Sequence, residues 1–581
     1  MYGIISTILY LHRFASDQRE DIFKSEPCAS GGTAMSGGHG ILFTKAHTTF
    51  GSEFRMLNFF TKGIRTVYTL MLSTILILLL FFSSTEYMCK TEFLCTNIFM
   101  SACILMLFAS LLIIWSASGN VRNKFVTVSV PYKKIVYIAA LCLFIGQLYL
   151  SYNIYFLPGW DAGTVYKAAK TLAFGDVSQL NNNYFSTYPN NLFLTSVYAV
   201  ILKINRAVGV LPVEHQLLSL IIFNCLCSTA ACVLIYIILC RFLNENYAFM
   251  GFCLGVIAFG CSPWVTVCYS DSAGLLFPIL LLWLYLQPVN VRRKKIMRFI
   301  LIVLVCVIGY SVKPQTIIII IAAVFAEFIY MLQENTPKKI AKKAVWIIVG
   351  LLMVSALLHV FDRLYEREGF VLNDETAYGM SHFFMMGLNE DRNGVFAEED
   401  TSFSKSFQTK AERRNANLKV AADRLKNFGI IGYGKHLAKK ILVTYHDGTY
   451  AWGQEGNFFK KYNDEVNTKP ALFLRSIYYP GGRYYNTWAT ASQAVWLMII
   501  LLCLFSGLLF KENGCESAKI HSVLYLSVVG LTVFELLFEC RARYLYTYVP
   551  IFCMNAVFGI CALRRKTVKI IEKIKIKKKN K

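Results

Sequence analysis

Residues 214–240 read EHQLLSLIIFNCLCSTAACVLIYIILC, and beyond Glu214 the stretch contains no charged side chain. As a helix it is roughly 40 Å long, more than the roughly 30 Å hydrocarbon core of a bilayer requires. In such a run Cys225, Cys227, Cys232 and Cys240 read as small hydrophobes. Runs of the same character lie at 66–84, 96–118, 133–157, 247–266, 272–288, 296–313, 315–333, 343–360, 490–510, 519–538 and 543–562. A helix satisfies its own backbone in hydrocarbon and an open strand does not. The expected fold is therefore an all-α polytopic membrane protein of about 12 transmembrane helices (roughly 11–13), with helices in its outward-facing loops.

Composition agrees. Of the 581 residues 56% are hydrophobic and 16% charged, and the mean hydropathy is +0.47. The net charge of +24 does not point to nucleic acid, because the cations gather in short loops between apolar runs. Arg122, Lys124, Lys133 and Lys134 set one loop inside, and Arg292–Lys295 and Lys338–Lys343 set two more. Residues 564–581 hold ten Lys or Arg against one Glu, a basic tail suited to a cytoplasmic surface of anionic membrane lipid. With twelve crossings both termini are inside, and 158–213 and 361–489 face out. The shorter run 192–205 is expected to dip into the outer leaflet without crossing. Cys89 and Cys95 flank a short polar loop, where a local disulfide and two thiols are equally compatible.

The expected organisation has six parts. Residues 1–55, Gly-rich at Ser30–Gly40, form a disordered extension. Residues 56–130 add two spans, and 131–360 hold a transmembrane core with its first outer loop at 158–213. A large outer loop domain follows at 361–489, the last spans at 490–563, and the basic tail at 564–581.

Several motifs fall on the outer side. The first loop reads FLPGWDAGTVYKAAKTLAFGD (156–176) and NNNYFSTYPNN (181–191), with Asp161 just past a span and Tyr188, Asn190 and Asn191 in a turn. SPWVTVCYSDSAG (262–274) sets Asp271 at an outer helix end, and GYSVKPQT (309–316) sets Lys313 before Pro314. ECRARYLYTYVP (539–550) brings Glu539, Arg541 and Arg543 to the outer start of the last span, against the positive-inside trend. TYHDGTYAWGQEGNFF (444–459) collects His446, Asp447 and Glu455 beside Trp452, a composition suited to sugar hydroxyls and ring faces as well as to a plain turn.

In this order and on one side of the membrane, these motifs resemble the outer loops of the GT-C glycosyltransferases, the polyprenyl-phosphate-sugar-dependent membrane enzymes related to protein mannosyltransferases. The resemblance is to their uncharacterised Gram-positive branch and extends over about 133–562. It implies that Asp161 is the catalytic carboxylate, with Asp271 a second acid. It implies further that Lys313, Arg541 and Arg543 bind the donor phosphate. Tyr188, Asn190, Asn191, His446, Asp447, Glu455 and Glu539 become substrate-binding candidates. Many relatives carry an acidic pair where this chain has Asp161 alone, which leaves open whether a divalent metal, Mg or Mn, takes part.

The activity so implied moves a sugar from a lipid-linked donor on polyprenyl phosphate to a glycan, lipid or protein acceptor outside the plasma membrane. A transporter or lipid flippase and a polysaccharide polymerase are the alternatives. A transporter would call for ionisable residues near the bilayer midplane. The sequence holds no GxxxxGK[ST], GxSxG, HExxH or dinucleotide motif. Because no span needs 1–55 for its orientation, a chain starting at Met56 is expected to insert and act as the full chain does; failure of that truncated chain to enter membranes would overturn this reading.

Overall fold

The Leu217–Phe242 helix fills the run just quoted. In the computed structural model of the chain, residues 43–82, 91–118, 131–209, 211–212, 215–331, 337–456, 466–510 and 515–579 are described. These residues are helical throughout, joined by turns. Nine of their helices are long and apolar enough to cross a membrane: Phe59–Phe81, Tyr132–Ile154, Leu217–Phe242, Arg292–Val312, Pro314–Met331, Ile340–Arg367, Tyr485–Leu509, Glu516–Leu537 and Ala542–Ile574. Two further apolar helices are shorter, Glu245–Gly260 and Ser270–Leu286, and the helix Asn97–Ser118 is apolar over Asn97–Leu111. The runs expected at 247–266 and 272–288 are short because each is interrupted. The first closes in a π turn at Val256–Gly260, and the second breaks at Gly274–Leu275. The chain divides into the units Met1–Arg55 and Met56–Lys581. Residues 1–42, Cys89, Arg122 and Lys124 lie outside the described residues, and 43–55 are helical.

The last span lies at the centre of the assembly and its apolar window is wholly buried. Its partner is Tyr485–Leu509, and the approach is close because position 559 is Gly: a Cβ there would meet the Leu502 carbonyl oxygen at 1.9 Å. Tyr68 of the first span stacks on Tyr525 at 4.2 Å and donates its hydroxyl to the Cys503 carbonyl at 3.1 Å. At the other extreme, the window of Ile340–Arg367 buries nothing. Leu351 and Leu352 there are each 65% exposed, a surface that only hydrocarbon can cover without penalty.

Between these limits Gln147 ties three segments together. It is buried in the Tyr132–Ile154 helix and donates to the Gly260 carbonyl at 2.7 Å and to Ser228 Oγ at 3.1 Å, while its own carbonyl accepts from Thr229 at 3.0 Å. The carbonyl freed where the helix breaks thus finds a partner inside the bundle, as hydrocarbon demands.

The two expected outer loops pack as one body. Val371 N donates to Asn182 Oδ1, Asn373 N to Ser186 Oγ, and Tyr378 N to the Thr187 carbonyl. Under them Ala168, Leu180, Phe185, Leu192, Tyr365 and Phe370 form a small core. Leu192–Val208, the expected dipping segment, is a 17-residue helix ended by Gly209 at φ +68. The larger loop is built from Met380–Gly387, Glu398–Lys405, Lys410–Tyr445 and Lys469–Tyr478. Thr409 and Glu412 form a capping box, and Gly429 at φ +58 kinks the long helix.

Because 158–191 and 371–445 share these contacts, cysteines introduced at the exposed Asn183 and Arg414 are expected to react with an impermeant reagent from the same side of the membrane, and one at Lys573 from the other; labelling of Asn183 and Arg414 from opposite sides would refute the arrangement. A second expectation concerns acid. Burial against Ser404 pushes the His382 imidazole down to about 4, so between that value and the unfolded pKa near 6.5 the unfolded chain binds more protons. Stability therefore falls as pH drops through this window, by on the order of 2 kcal/mol near pH 5. After allowance for the slower intrinsic exchange of amides in acid, protection of 380–425 should be lower at pH 5 than at pH 7, and His382→Gln should remove most of that difference.

Candidate active site at the helix ends

Asp161 stands in the first turn of the Trp160–Phe174 helix, but Gly159 is the N-cap, so the carboxylate does not cap its own helix. It accepts instead from the hydroxyls of Tyr184 at 2.6 Å and Tyr269 at 3.2 Å. Asn191 Nδ2 donates to the Tyr184 hydroxyl at 2.7 Å, which fixes the direction in which Tyr184 gives its proton. Burial first, then Tyr269 and Asp161, raise the Tyr184 pKa, so this phenol remains a donor. Tyr188 packs on Tyr184 at 5.3 Å, and the exposed Asn190 donates to Asn191 Oδ1.

Asp271 is brought in by a tight turn at Pro263–Thr266 and the extended residues after it. Asn224 of the Leu217–Phe242 helix donates to the carbonyls of Val265 and Val267, both at 3.0 Å, and Ser272 Oγ to that of Trp264. With this segment held, the short Ser270–Gly274 turn lies on Lys313, where a Cβ at Gly274 would already touch the Lys313 stem at 3.0 Å. Lys313 itself is the C-cap residue of Arg292–Val312, fixed by Pro314 at the next turn. Its Nζ reaches Asp271 Oδ1 at 2.5 Å and lies 4.4 Å from the Tyr544 ring centre, with Lys313 4% and Asp271 0% exposed.

The arginines complete the array. Arg541 donates to Glu455 Oε1 at 2.6 Å and Glu539 Oε1 at 2.9 Å. Arg543 lies 4.5 Å from the Trp160 ring centre and 5.7 Å from that of Tyr269. Its Nε is 2.8 Å from Glu455 Oε2 and its terminal nitrogen 3.7 Å from Asp271 Oδ2, yet neither nitrogen has hydrogen-bond geometry to a partner. The Arg543 charge is matched, but its donors are left over. Trp160, whose φ is +28, covers this guanidinium.

Asp161, Asp271, Lys313, Arg541, Arg543, Glu455, Glu539, Tyr188 and Asn191 thus form one chain of contacts through Tyr184, Tyr269 and Tyr544. His446 and Asp447 have other engagements. Asp447 accepts from Thr91 Oγ1 at 3.0 Å and from Thr449, while His446 stacks on Phe93 and lies 3.3 Å from Asn97. They lock the start of the Asn97–Ser118 helix to the larger loop. Tyr184, Tyr269 and Tyr544 went unnoticed in the sequence, although two of them lie within two residues of Asp271 and Arg543. Nothing local marks Lys440, which is wholly buried and donates to the carbonyls of Gly387 and Phe538.

A divalent ion does not suit this donor set. Among the described residues no three His, Cys, Asp or Glu side chains converge, and Asp271, Glu455 and Glu539 each already face a cation.

Nine long apolar helices among the described residues, around buried polar helix ends, define a multi-pass integral membrane protein. Residues 56–562 match the family described as conserved hypothetical integral membrane protein, and the chain belongs to that family. No curated protein matches the chain.

Removing Asp271 strands the Lys313 ammonium in a dry site, so Asp271→Asn is expected to cost about 3–5 kcal/mol of stability. Asp271→Asn with Lys313→Met should recover most of it. Thermal unfolding in detergent checks both, and an unchanged melting temperature in the single variant would refute the pair's structural weight.

Proposed function

We propose that the protein is a GT-C-like glycosyltransferase of the plasma membrane. In this reading it has twelve crossings, and the Asp161 cluster lies on the extracytoplasmic side. The donor is a sugar on polyprenyl phosphate and the acceptor a hydroxyl of a glycan, lipid or protein. What carries the reading is the Asp161 carboxylate and the Arg543 guanidinium on a common aromatic wall, Tyr269 and Trp160.

A sugar on a lipid phosphate brings its own leaving group, so two tasks remain for the protein. Asp161 takes the proton of the acceptor hydroxyl as its oxygen bonds to the anomeric carbon. The carbon–oxygen bond to the phosphate breaks with its electron pair, and the uncommitted donors of Arg543 meet the charge gathering on the departing phosphate. Arg541, held by Glu455 and Glu539, steadies Glu455 against Arg543. Lys313 acts through Asp271, which it neutralises. This assigns phosphate binding to Arg543 ahead of Lys313 and Arg541.

Tyr184 and Tyr269 hold Asp161 in place, so Asp161→Asn keeps the shape of the site and removes the base. Transfer from polyprenyl-phosphate sugars in membranes is expected to fall by about 10²–10⁴ while insertion is unchanged. Arg543→Lys should be markedly impaired, because an ammonium cannot reproduce a fork. Parental transfer by Asp161→Asn would end the proposal.

A further inference from the structure

Two tyrosines lie against the guanidinium of Arg543, Tyr269 with its ring centre at 5.7 Å and Tyr544 at 5.4 Å. They differ in what their hydroxyls do. Tyr269 donates to Asp161 at 3.2 Å. The Tyr544 hydroxyl has no hydrogen-bond partner among the described residues, and the contacts of this residue run through its backbone and its ring.

The backbone is pinned by a tight turn. ECRARYLYTYVP folds into a 3-10 helix over Ala542–Tyr548, in which Tyr544 N donates to the Arg541 carbonyl at 3.1 Å and the Tyr544 carbonyl accepts from Thr547 Oγ1 at 3.5 Å. The ring is pinned by charge. Lys313 Nζ lies 4.4 Å from its centre and the Arg543 guanidinium 5.4 Å, so two cations hold the negative face of the aromatic system. The carboxylates of Glu539 and Glu455 lie near, but both are taken up by Arg541 and neither accepts from the phenol.

A tyrosine hydroxyl inside a protein ordinarily finds a partner, and here the position is fixed while the acceptor is missing. Tyr544 is half-buried, whereas Arg543 is 7% and Lys313 4% exposed, so a ligand reaches the phenol more readily than either cation. A cation over the ring draws electron density from the phenol oxygen and strengthens its O–H as a donor. The strongest hydrogen bonds of such a donor are those to an ionised acceptor.

We propose that the Tyr544 hydroxyl donates to the phosphate of the polyprenyl-phosphate ligand, as a further catalytic residue beside Arg543. The identity of that phosphate rests on the glycosyl-transfer reading. As the bond from the anomeric carbon to the phosphate oxygen breaks, its electron pair passes to the phosphate. Tyr544 keeps its proton and shares it with a phosphate oxygen, so the proton of the acceptor hydroxyl still ends on Asp161 and polyprenyl phosphate leaves as an anion. Lys313 thereby acts on the phosphate through the ring without leaving Asp271.

The test is Tyr544→Phe, which keeps the ring between Lys313 and Arg543 and removes a hydroxyl that bonds nothing in the fold. Its melting temperature in detergent should match the parent's. Binding of a polyprenyl phosphate and of the corresponding polyprenol is then compared on the purified full chain. The parent is expected to prefer the phosphate. Tyr544→Phe should lose about 10- to 100-fold of that preference, the weight of a hydrogen bond to a charged group, with polyprenol binding unchanged. In membranes kcat for transfer from polyprenyl-phosphate sugars should fall by a similar factor, while the pH profile set by Asp161 keeps its shape. Full phosphate preference in Tyr544→Phe would overturn the role of Tyr544 and leave glycosyl transfer standing. A lowered melting temperature with that preference intact would make the hydroxyl structural and overturn the role as well. A parent that transfers no sugar but loses its phosphate preference in Tyr544→Phe would end the transferase reading and keep Tyr544 as a phosphate donor. A parent that binds the two lipids alike would overturn both.

Discussion

A carboxylate and an ammonium, both withdrawn from water and 2.5 Å apart, hold one end of this bundle in register. An ion pair so buried contributes little net stability, because desolvation of the two charges offsets their attraction. Its effect is on specificity. Asp271 and Lys313 lie on different segments, and any slip would leave a bare charge in a dry site. Asn224, Ser272 and the small Gly274 all serve to bring the Asp271 turn down onto Lys313. Arg543 then sits beside Asp271, Glu455 beside Arg543, and Arg541 beside Glu455. Remove the first pair and each later partner has lost its reference point.

The same cluster carries Asp161, Asp271, Glu455 and Glu539 against Lys313, Arg541 and Arg543, with Lys440 close by on the Phe538 carbonyl, so the array is close to neutral. A nearly neutral array in a low dielectric holds strong local fields without a large net charge to solvate. Within it, Arg543 is the member whose charge is matched while its hydrogen bonds are not. That combination suits a site that must receive an anion and release it. A fully bonded arginine would bind nothing further, and an unmatched one would draw counter-ions permanently.

Reading the sequence placed the nine long apolar helices of the described residues, because long uncharged runs have one solution in a bilayer, while the expected total of about twelve is not matched by helices of that length. It singled out Asp161, Asp271, Lys313 and Arg543, which the fold brings into one cluster, for a related reason, since polar groups at span ends stand out against apolar runs. The failures are also physical. His446 and Asp447 sit beside aromatics as a sugar site would, but their partners Thr91, Phe93 and Asn97 are some 350 residues away in the chain, and no local pattern announces that pairing. The interrupted helices at 245–260 and 270–286 look continuous in hydropathy, since a π turn or a break changes hydrogen bonding without changing composition. The Tyr hydroxyls around Asp161 escaped notice because 33 tyrosines in one chain make any single one unremarkable by type.

Gln147 has a bearing on how the protein is made. Its amide takes the carbonyl that the broken Glu245–Gly260 segment cannot satisfy alone, and in return its own polar end is taken up by Ser228 and Thr229. Neither helix is therefore a comfortable resident of lipid until the other has arrived. The Leu217–Phe242 helix leaves the ribosome between them carrying half of the arrangement. Biogenesis of this region must proceed as the handover of a trio of segments, with the earliest one waiting at the translocon's side for the last, and not as three independent insertions.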